Sequence, residues 1–226
     1  MELKNKSVVI LTSGGLDSST VAGLAKNSKA KIIGLSFDYG QRHNRELKAA
    51  KKIAKYFEYE EHKIIKLDLA SWGGSSLTDI QKKIPTNGVN PKIIPNTYVP
   101  GRNTIFISVA LSYAEAINAD LIGLGVNSLD YSGYPDCRPD YIEQFQKLAN
   151  LSNKRGRENK PIKLWTPLLN LNKEEIFELA FINNVPIEAT WSCYLGGEKP
   201  CEKCDSCRIR IKAYSKWLSK QTKKCK

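Results

Sequence analysis

Apolar residues follow two alternating rhythms along the chain. Short unbroken runs at 7–12, 31–37, 63–67, 120–126 and 162–165 read as strands buried on both faces. Between them, apolar residues at three- and four-residue spacing predict helices at 17–26, 43–57, 103–117, 141–151 and 173–182. Val21, Leu24 and Ala25 share a face of the first helix; Leu47, Ala50, Ala54 and Phe57 share one on the second. The strongest pattern is the third, with Phe106, Val109, Ala110, Tyr113, Ala114 and Ile117 in one stripe. Strands alternating with helices predict an α/β fold, a parallel sheet covered on both sides. Only 68–97 breaks the rhythm: it is rich in Gly, Ser, Asn and Pro and reads as a long loop or flap.

Composition changes once, near Thr190, where cysteines and basic residues take over. The expected organisation is an α/β domain over 1–190 and a cysteine module with a basic tail over 191–226. The segment 212–226 reads as a solvated helix face with a frayed end. A chain of 226 residues, 41% hydrophobic, can bury one sizeable core with a small appendage. No apolar run approaches the roughly 20 residues of a membrane span. The run after Lys4 and Lys6 is too short for a secretory signal, so no membrane partner and a cytoplasmic location are expected.

The net charge of +12 rests mostly on lysines spread along the whole chain. Such a field attracts polyanions in general and marks no particular nucleic-acid surface.

Six cysteines stand at 137, 193, 201, 204, 207 and 225. Crowding in a reducing compartment points to metal rather than to disulfides. Cys193, Cys201, Cys204 and Cys207 offer four thiolates, the donor set of tetrahedral Zn²⁺. An iron–sulfur cluster is the rival, but Arg208-Ile209-Arg210 follows where a ferredoxin run would place its fourth Cys and Pro. With all four positions filled by protein, the zinc would be structural. Cys225 reads as an idle surface thiol, and His62, without motif context, as a surface residue.

Between the first strand and first helix lies Leu11-Thr12-Ser13-Gly14-Gly15-Leu16-Asp17-Ser18-Ser19-Thr20-Val21. An open parallel sheet binds nucleotide phosphate at this turn. Adjacent glycines let the backbone approach an anion, and the unpaired N–H groups of the helix start face it. Ser13, Ser18 and Ser19 add hydroxyls, and Asp17 could hold a Mg²⁺ that bridges phosphate oxygens. No Gly-Lys-Ser/Thr follows, so this is not a Walker loop.

The segment resembles the SGGxDS pyrophosphate loop of the enzymes that include GMP synthetase, argininosuccinate synthetase and tRNA thiolation enzymes. That resemblance implies a Rossmann-like, doubly wound fold of the adenine nucleotide alpha-hydrolase (PP-loop) type, here with a small C-terminal zinc-binding module. It also implies cleavage of ATP to AMP and pyrophosphate. Further stretches narrow the match: Phe37-Asp38-Tyr39-Gly40-Gln41-Arg42-His43, Ile94-Pro95-Asn96-Thr97, Val99-Pro100-Gly101-Arg102-Asn103 and Gly133-Tyr134-Pro135-Asp136-Cys137-Arg138. With the loop and the cysteines, these resemble the 7-cyano-7-deazaguanine synthase family of queuosine biosynthesis, from about Val8 to Arg210.

The resemblance implies a ligase that joins ammonia to 7-carboxy-7-deazaguanine and consumes two ATP through adenylated acid and amide intermediates. It implies a homodimer with no direct nucleic-acid partner, supplied with free or partner-delivered ammonia because no glutaminase half is present. Arg102 is expected to neutralise the substrate carboxylate or the α-phosphate, and Asp136 to meet the N–H edge of the base. Structural readings stand beside both: a salt bridge for Arg102 and a turn cap for Asp136. No role as nucleophile is required of Cys137, and His43 reads as a cap or packing residue. Two other readings stay open, a tRNA-modifying enzyme that shares the loop and a non-catalytic zinc-ribbon module with a regulatory nucleotide loop.

Overall fold

A computed structural model of the chain describes residues 2–86, 88, 93–127 and 134–224. Cys225 and Gly133, named above, lie outside the described residues. Five strands, β1 (Ser7–Leu11), β2 (Lys31–Asp38), β3 (Glu61–Lys66), β4 (Leu121–Gly123) and β5 (Lys163–Trp165), form one sheet. Their order is β3-β2-β1-β4-β5, and every neighbouring pair is parallel.

The helices are α1 (Leu16–Asn27), α2 (Arg45–Tyr56), α3 (Arg102–Ala116), α4 (Pro139–Ser152), α5 (Lys154–Arg157), α6 (Lys173–Ile182) and α7 (Asp205–Lys224). Successive residues of a strand point to opposite faces, and β1 divides accordingly. Val9 joins Ile107 and Ala110 of α3 and Phe145 of α4. Val8 and Ile10 join Val21 of α1, Ile53 of α2, Phe177 of α6 and Trp217 of α7. The sheet is thus covered on both sides, as the alternation of strands and helices predicts.

The order reverses direction between β1 and β4. Consecutive connections carry the chain outward through β2 and β3, and then back to the other side of β1. The carboxyl ends of β1 and β4 therefore open into a crevice, the topological switch point where such sheets bind ligands. β4 is shorter than its expected 120–126: after Gly123 the chain leaves the ladder, and 124–127 line this crevice. Gly125 shows why. A β-carbon there would lie 2.8 Å from Ser18 N, so only glycine lets the two switch-point segments approach.

Other differences have physical causes. In α3 the fully buried stripe is Ile107, Ala110, Leu111 and Ala114, while Ile117 is exposed. Two overlapping apolar stripes satisfy the same helical spacing, and only the sheet selects between them. The segment 212–226 is not a solvated appendage along its first half. Ala213 and Trp217 are buried, and Trp217 stacks on Phe177 with ring centroids 6.2 Å apart. The four-residue α5 is too short to leave a periodic signal; Asn153 caps it by accepting from Gly156 N at 2.7 Å.

Candidate functional site

The switch-point crevice is a cavity of about 290 Å³. Leu11, Thr12, Ser13, Gly15, Leu16, Asp17 and Ser18 of the expected phosphate loop line one end of it; Gly14, Ser19, Thr20 and Val21 of that stretch do not line it. Gly15 caps α1 without any side-chain hydrogen bond, so the first amides of that helix carry no side-chain cap. The loop is held from its flanks instead. Ser13 Oγ meets Ser18 Oγ at 3.0 Å and accepts from Gly15 N at 3.2 Å. Trp191 N donates to Gly14 O at 2.9 Å. Gly14 has φ +77°, and a β-carbon there would strike Ala50 N and sit 2.6 Å from Glu46 O. Glycine is required where the loop passes under α2.

Asp17, the expected magnesium ligand, is ion-paired. Lys173 Nζ donates to its two carboxylate oxygens at 2.9 and 2.8 Å, and Asn127 Nδ2 adds a third bond at 3.3 Å. Lys173 escaped the sequence reading, yet it carried a signal. It is the first residue of α6, behind an Asn172/Glu175 capping box, where the helix dipole disfavours a cation. A buried lysine in that position needs an anion, and Asp17 supplies it.

Arg102 reaches the cavity from the start of α3. Its guanidinium lies 5.7 Å from the Tyr39 ring centre and 5.9 Å from that of Phe106. Nη1 donates to Tyr39 Oη and Nη2 to Asn103 Oδ1, both at 3.4 Å. It makes no ion pair among the described residues, so the structural salt bridge is not what holds it.

Asp136 is not part of the cavity wall. Its oxygens accept from Asn103 N at 3.0 Å and Asn103 Nδ2 at 3.2 Å. Gly101, left-handed at φ 62°, gives α3 no side-chain cap, and Asp136 provides one from across the fold. The carboxylate holds the start of α3 and orients Asn103, the capping role that stands beside the expected contact with the base edge. Cys137 is buried beside it, and burial, reinforced by Asp136, pushes its thiol up to about 12. A thiol held so firmly protonated is a poor nucleophile.

Both histidines are tied into the fold by hydrogen bonds, and His43 also lines the cavity. His43 Nε2 donates to Cys193 O at 3.1 Å while Nδ1 accepts from Arg45 N at 3.3 Å. His62 is not a plain surface residue. Its Nε2 meets Ser36 Oγ at 2.8 Å, and Ser36 Oγ donates to Thr12 O at the root of the phosphate loop. Burial lowers the pKa of His62.

The sulfurs of Cys193, Cys201, Cys204 and Cys207 all lie within 4.8 Å of one another. Leu195 N and Cys201 N donate to Cys193 Sγ, both at 3.4 Å, and Cys204 N to Cys201 Sγ at 3.3 Å. Amide donors aimed at sulfur favour thiolates. Although burial pushes Cys201 up, the amides of Cys204 and Lys203 bring it down to about 7, while burial raises Cys204 and Cys207. Four crowded thiols cannot all ionise without a cation between them, and the set fits a tetrahedral metal ion. This module also adjoins the cavity, whose wall includes Trp191, Tyr194 and Arg210.

The family model described as "Queuosine biosynthesis protein QueC" matches residues 7–218. That span extends beyond Arg210 and takes in the buried part of α7. A 7-cyano-7-deazaguanine synthase of Prochlorococcus marinus (strain MIT 9301) is 75% identical over 224 residues, covering 99% of this chain and 100% of the relative. Another, from P. marinus subsp. pastoris (strain CCMP1986 / NIES-2087 / MED4), is 76% identical over 221 residues, 98% of this chain and 99% of the relative. Among solved structures, NMN synthetase from Francisella tularensis superposes with a TM-score of 0.51 at 17% identity, over 98% of this chain and 87% of that one. That likeness concerns the fold alone.

Proposed function

This chain belongs to the QueC family and is a ligase of queuosine biosynthesis, and from that premise we propose that it converts 7-carboxy-7-deazaguanine and ammonia to 7-cyano-7-deazaguanine, cleaving two ATP to AMP and pyrophosphate. The observation that carries the ATP reading is the phosphate end of the cavity. There, α1 amides without a side-chain cap, the Ser13 and Ser18 hydroxyls and Lys173 Nζ converge at one switch point.

In the first round a substrate carboxylate oxygen attacks the α-phosphorus, the α–β bridge bond breaks, and pyrophosphate leaves. Ammonia then adds to the acyl carbon, AMP departs and a proton is lost, giving the amide. In the second round the amide oxygen attacks another ATP, pyrophosphate leaves again, and loss of AMP with the nitrogen-bound protons leaves the nitrile. The work of the protein is positioning and charge neutralisation. The loop amides and Lys173 receive the charge that grows on the departing pyrophosphate. Arg102 holds the substrate carboxylate against the α-phosphorus, and Asp136 positions Asn103 beside it. No step needs the Cys137 thiol.

Asp17 is the ligand assigned to magnesium, which would neutralise phosphate charge. Because Lys173 already occupies both carboxylate oxygens, the ammonium and the metal must share that residue. Zinc on Cys193, Cys201, Cys204 and Cys207 would supply a cross-link and no bond chemistry. We divide the chain functionally into the nucleotide-binding unit 1–190 and the metal module 191–226. The same reading makes the enzyme a cytoplasmic homodimer without nucleic-acid or membrane contacts. No described helix is long and apolar enough to cross a membrane.

Incubation with ATP, Mg²⁺, ammonium and 7-carboxy-7-deazaguanine tests the reading by mass spectrometry. Two AMP and two pyrophosphate are expected for each nitrile formed. ADP and phosphate, or no nitrile, would refute it.

A further inference from the structure

The cavity holds two carboxylates in very different situations. Asp17 is committed to Lys173 and Asn127. Glu46, in the first turn of α2, also lines the cavity but accepts no hydrogen bond and makes no ion pair among the described residues. Burial raises its pKa, with the Arg102 charge opposing. Arg102 likewise has no carboxylate partner. Both residues line one cavity and neither makes an ion pair among the described residues, so each is available to a ligand.

Aromatic rings line the cavity beside Arg102. Phe37 stacks on Phe106 with centroids 4.0 Å apart and planes within 6°, and Tyr39 meets Phe106 edge-on at 5.5 Å. A planar heterobicycle can lie against such a surface. The proposed substrate has matching polarity, with a carboxylate at one end and the adjacent N1–H and exocyclic 2-amino donors at the other. A carboxylate is acceptor-only and can take both donors at once. Adenine offers no such pair, because its ring N1 is an acceptor and would be repelled.

We infer that Glu46 is the specificity residue that reads the N1–H and 2-amino edge of the deazaguanine, while Arg102 holds its 7-substituent across the cavity. This inference rests on the proposed function and places the base contact on Glu46, which lines the cavity.

Two sets of measurements on the full chain test it. In calorimetry, the wild type is titrated with 7-cyano-7-deazaguanine and with its analogue lacking the 2-amino group. Loss of one charged hydrogen bond should weaken binding by roughly tenfold to a hundredfold. Glu46→Gln should abolish most of that discrimination and raise KM for 7-carboxy-7-deazaguanine by a similar factor, leaving KM for ATP unchanged. Glu46→Asp, which keeps the charge, should fall between the two and serves if the glutamine variant does not fold. Equal wild-type binding of both bases overturns the inference. So does an increase in KM for ATP alone, or an altered pH profile for ammonia use with unaltered base affinity. Wild-type turnover separates this from the underlying reading: absence of nitrile refutes the function, whereas nitrile formation with unselective base binding refutes only the assignment of Glu46.

Discussion

The two ends of the cavity are built in opposite ways. At the phosphate end, Ser13, Gly15, Asp17 and Ser18 are neighbours in sequence, and much of the loop is held by bonds spanning two to five residues. At the base end, Glu46, Arg102, Asn103 and Phe106 come from two helices and meet only through the fold. Charge follows the same division. The acid of the contiguous end is neutralised within the protein, whereas acid and base of the assembled end stand unpaired, as suits a place where the ligand supplies the partners.

The largest expected effect would break the contrast by showing that the contiguous end is not self-sufficient. Cys204→Ser, or removal of metal by a chelator, should cost most of the folding stability, since structural zinc contributes about 10 kcal/mol or more in small domains. Because Trp191 N holds Gly14 O, nucleotide affinity should fall with it. Metal analysis, thermal unfolding and ATP titration check this, and a stable metal-free wild type would contradict it.

Lys173→Met comes next. It leaves the Asp17 carboxylate unpaired in a partly buried site, with a loss of about 2–3 kcal/mol, below the value for a fully buried pair because Asp17 keeps some water. Pyrophosphate release should slow about a hundredfold or more. Asp17→Asn should abolish turnover and also lower the melting temperature, because it removes the charge paired with the buried Lys173.

Gly14→Ala tests the backbone geometry. The added methyl meets α2 at a left-handed φ, and a loss of roughly 1–3 kcal/mol is expected from unfolding titrations.

The smallest effect concerns pH. Burial depresses the pKa of His62 below 6.5, so the unfolded chain binds the proton first. The resulting stability is complete above pH 6.5 and is lost as pH falls through that value towards the folded pKa. His62→Gln should flatten this slope in stability measured between pH 7.5 and pH 5.

Legibility in the sequence follows the same division. The loop, the parallel sheet and the four cysteines were readable because their residues are contiguous or regularly spaced. The strand at 31–37 needed only its apolar run, and α6 was bounded at both ends by its pattern. Glu46 was not readable: on α2 it looks like an acid placed for the helix dipole, and only the fold brings it and Arg102 into one cavity. The partner of Asp136 was unreadable for a related reason. A carboxylate in a motif next to a substrate loop signals contact, and its bond from the amide of Asn103 becomes visible only once α3 is in place. Trp217 was lost in a lysine-rich tail whose apolar face becomes visible only against Phe177.

The central claim is that the substrate carboxylate is activated on the α-phosphorus while the loop takes the pyrophosphate. It is tested most directly by supplying 7-carboxy-7-deazaguanine with both carboxylate oxygens labelled with ¹⁸O and following the label by mass spectrometry. The account predicts that each of the two AMP molecules released per nitrile carries one ¹⁸O and that the pyrophosphate carries none. Label in pyrophosphate, phosphate or water would contradict it.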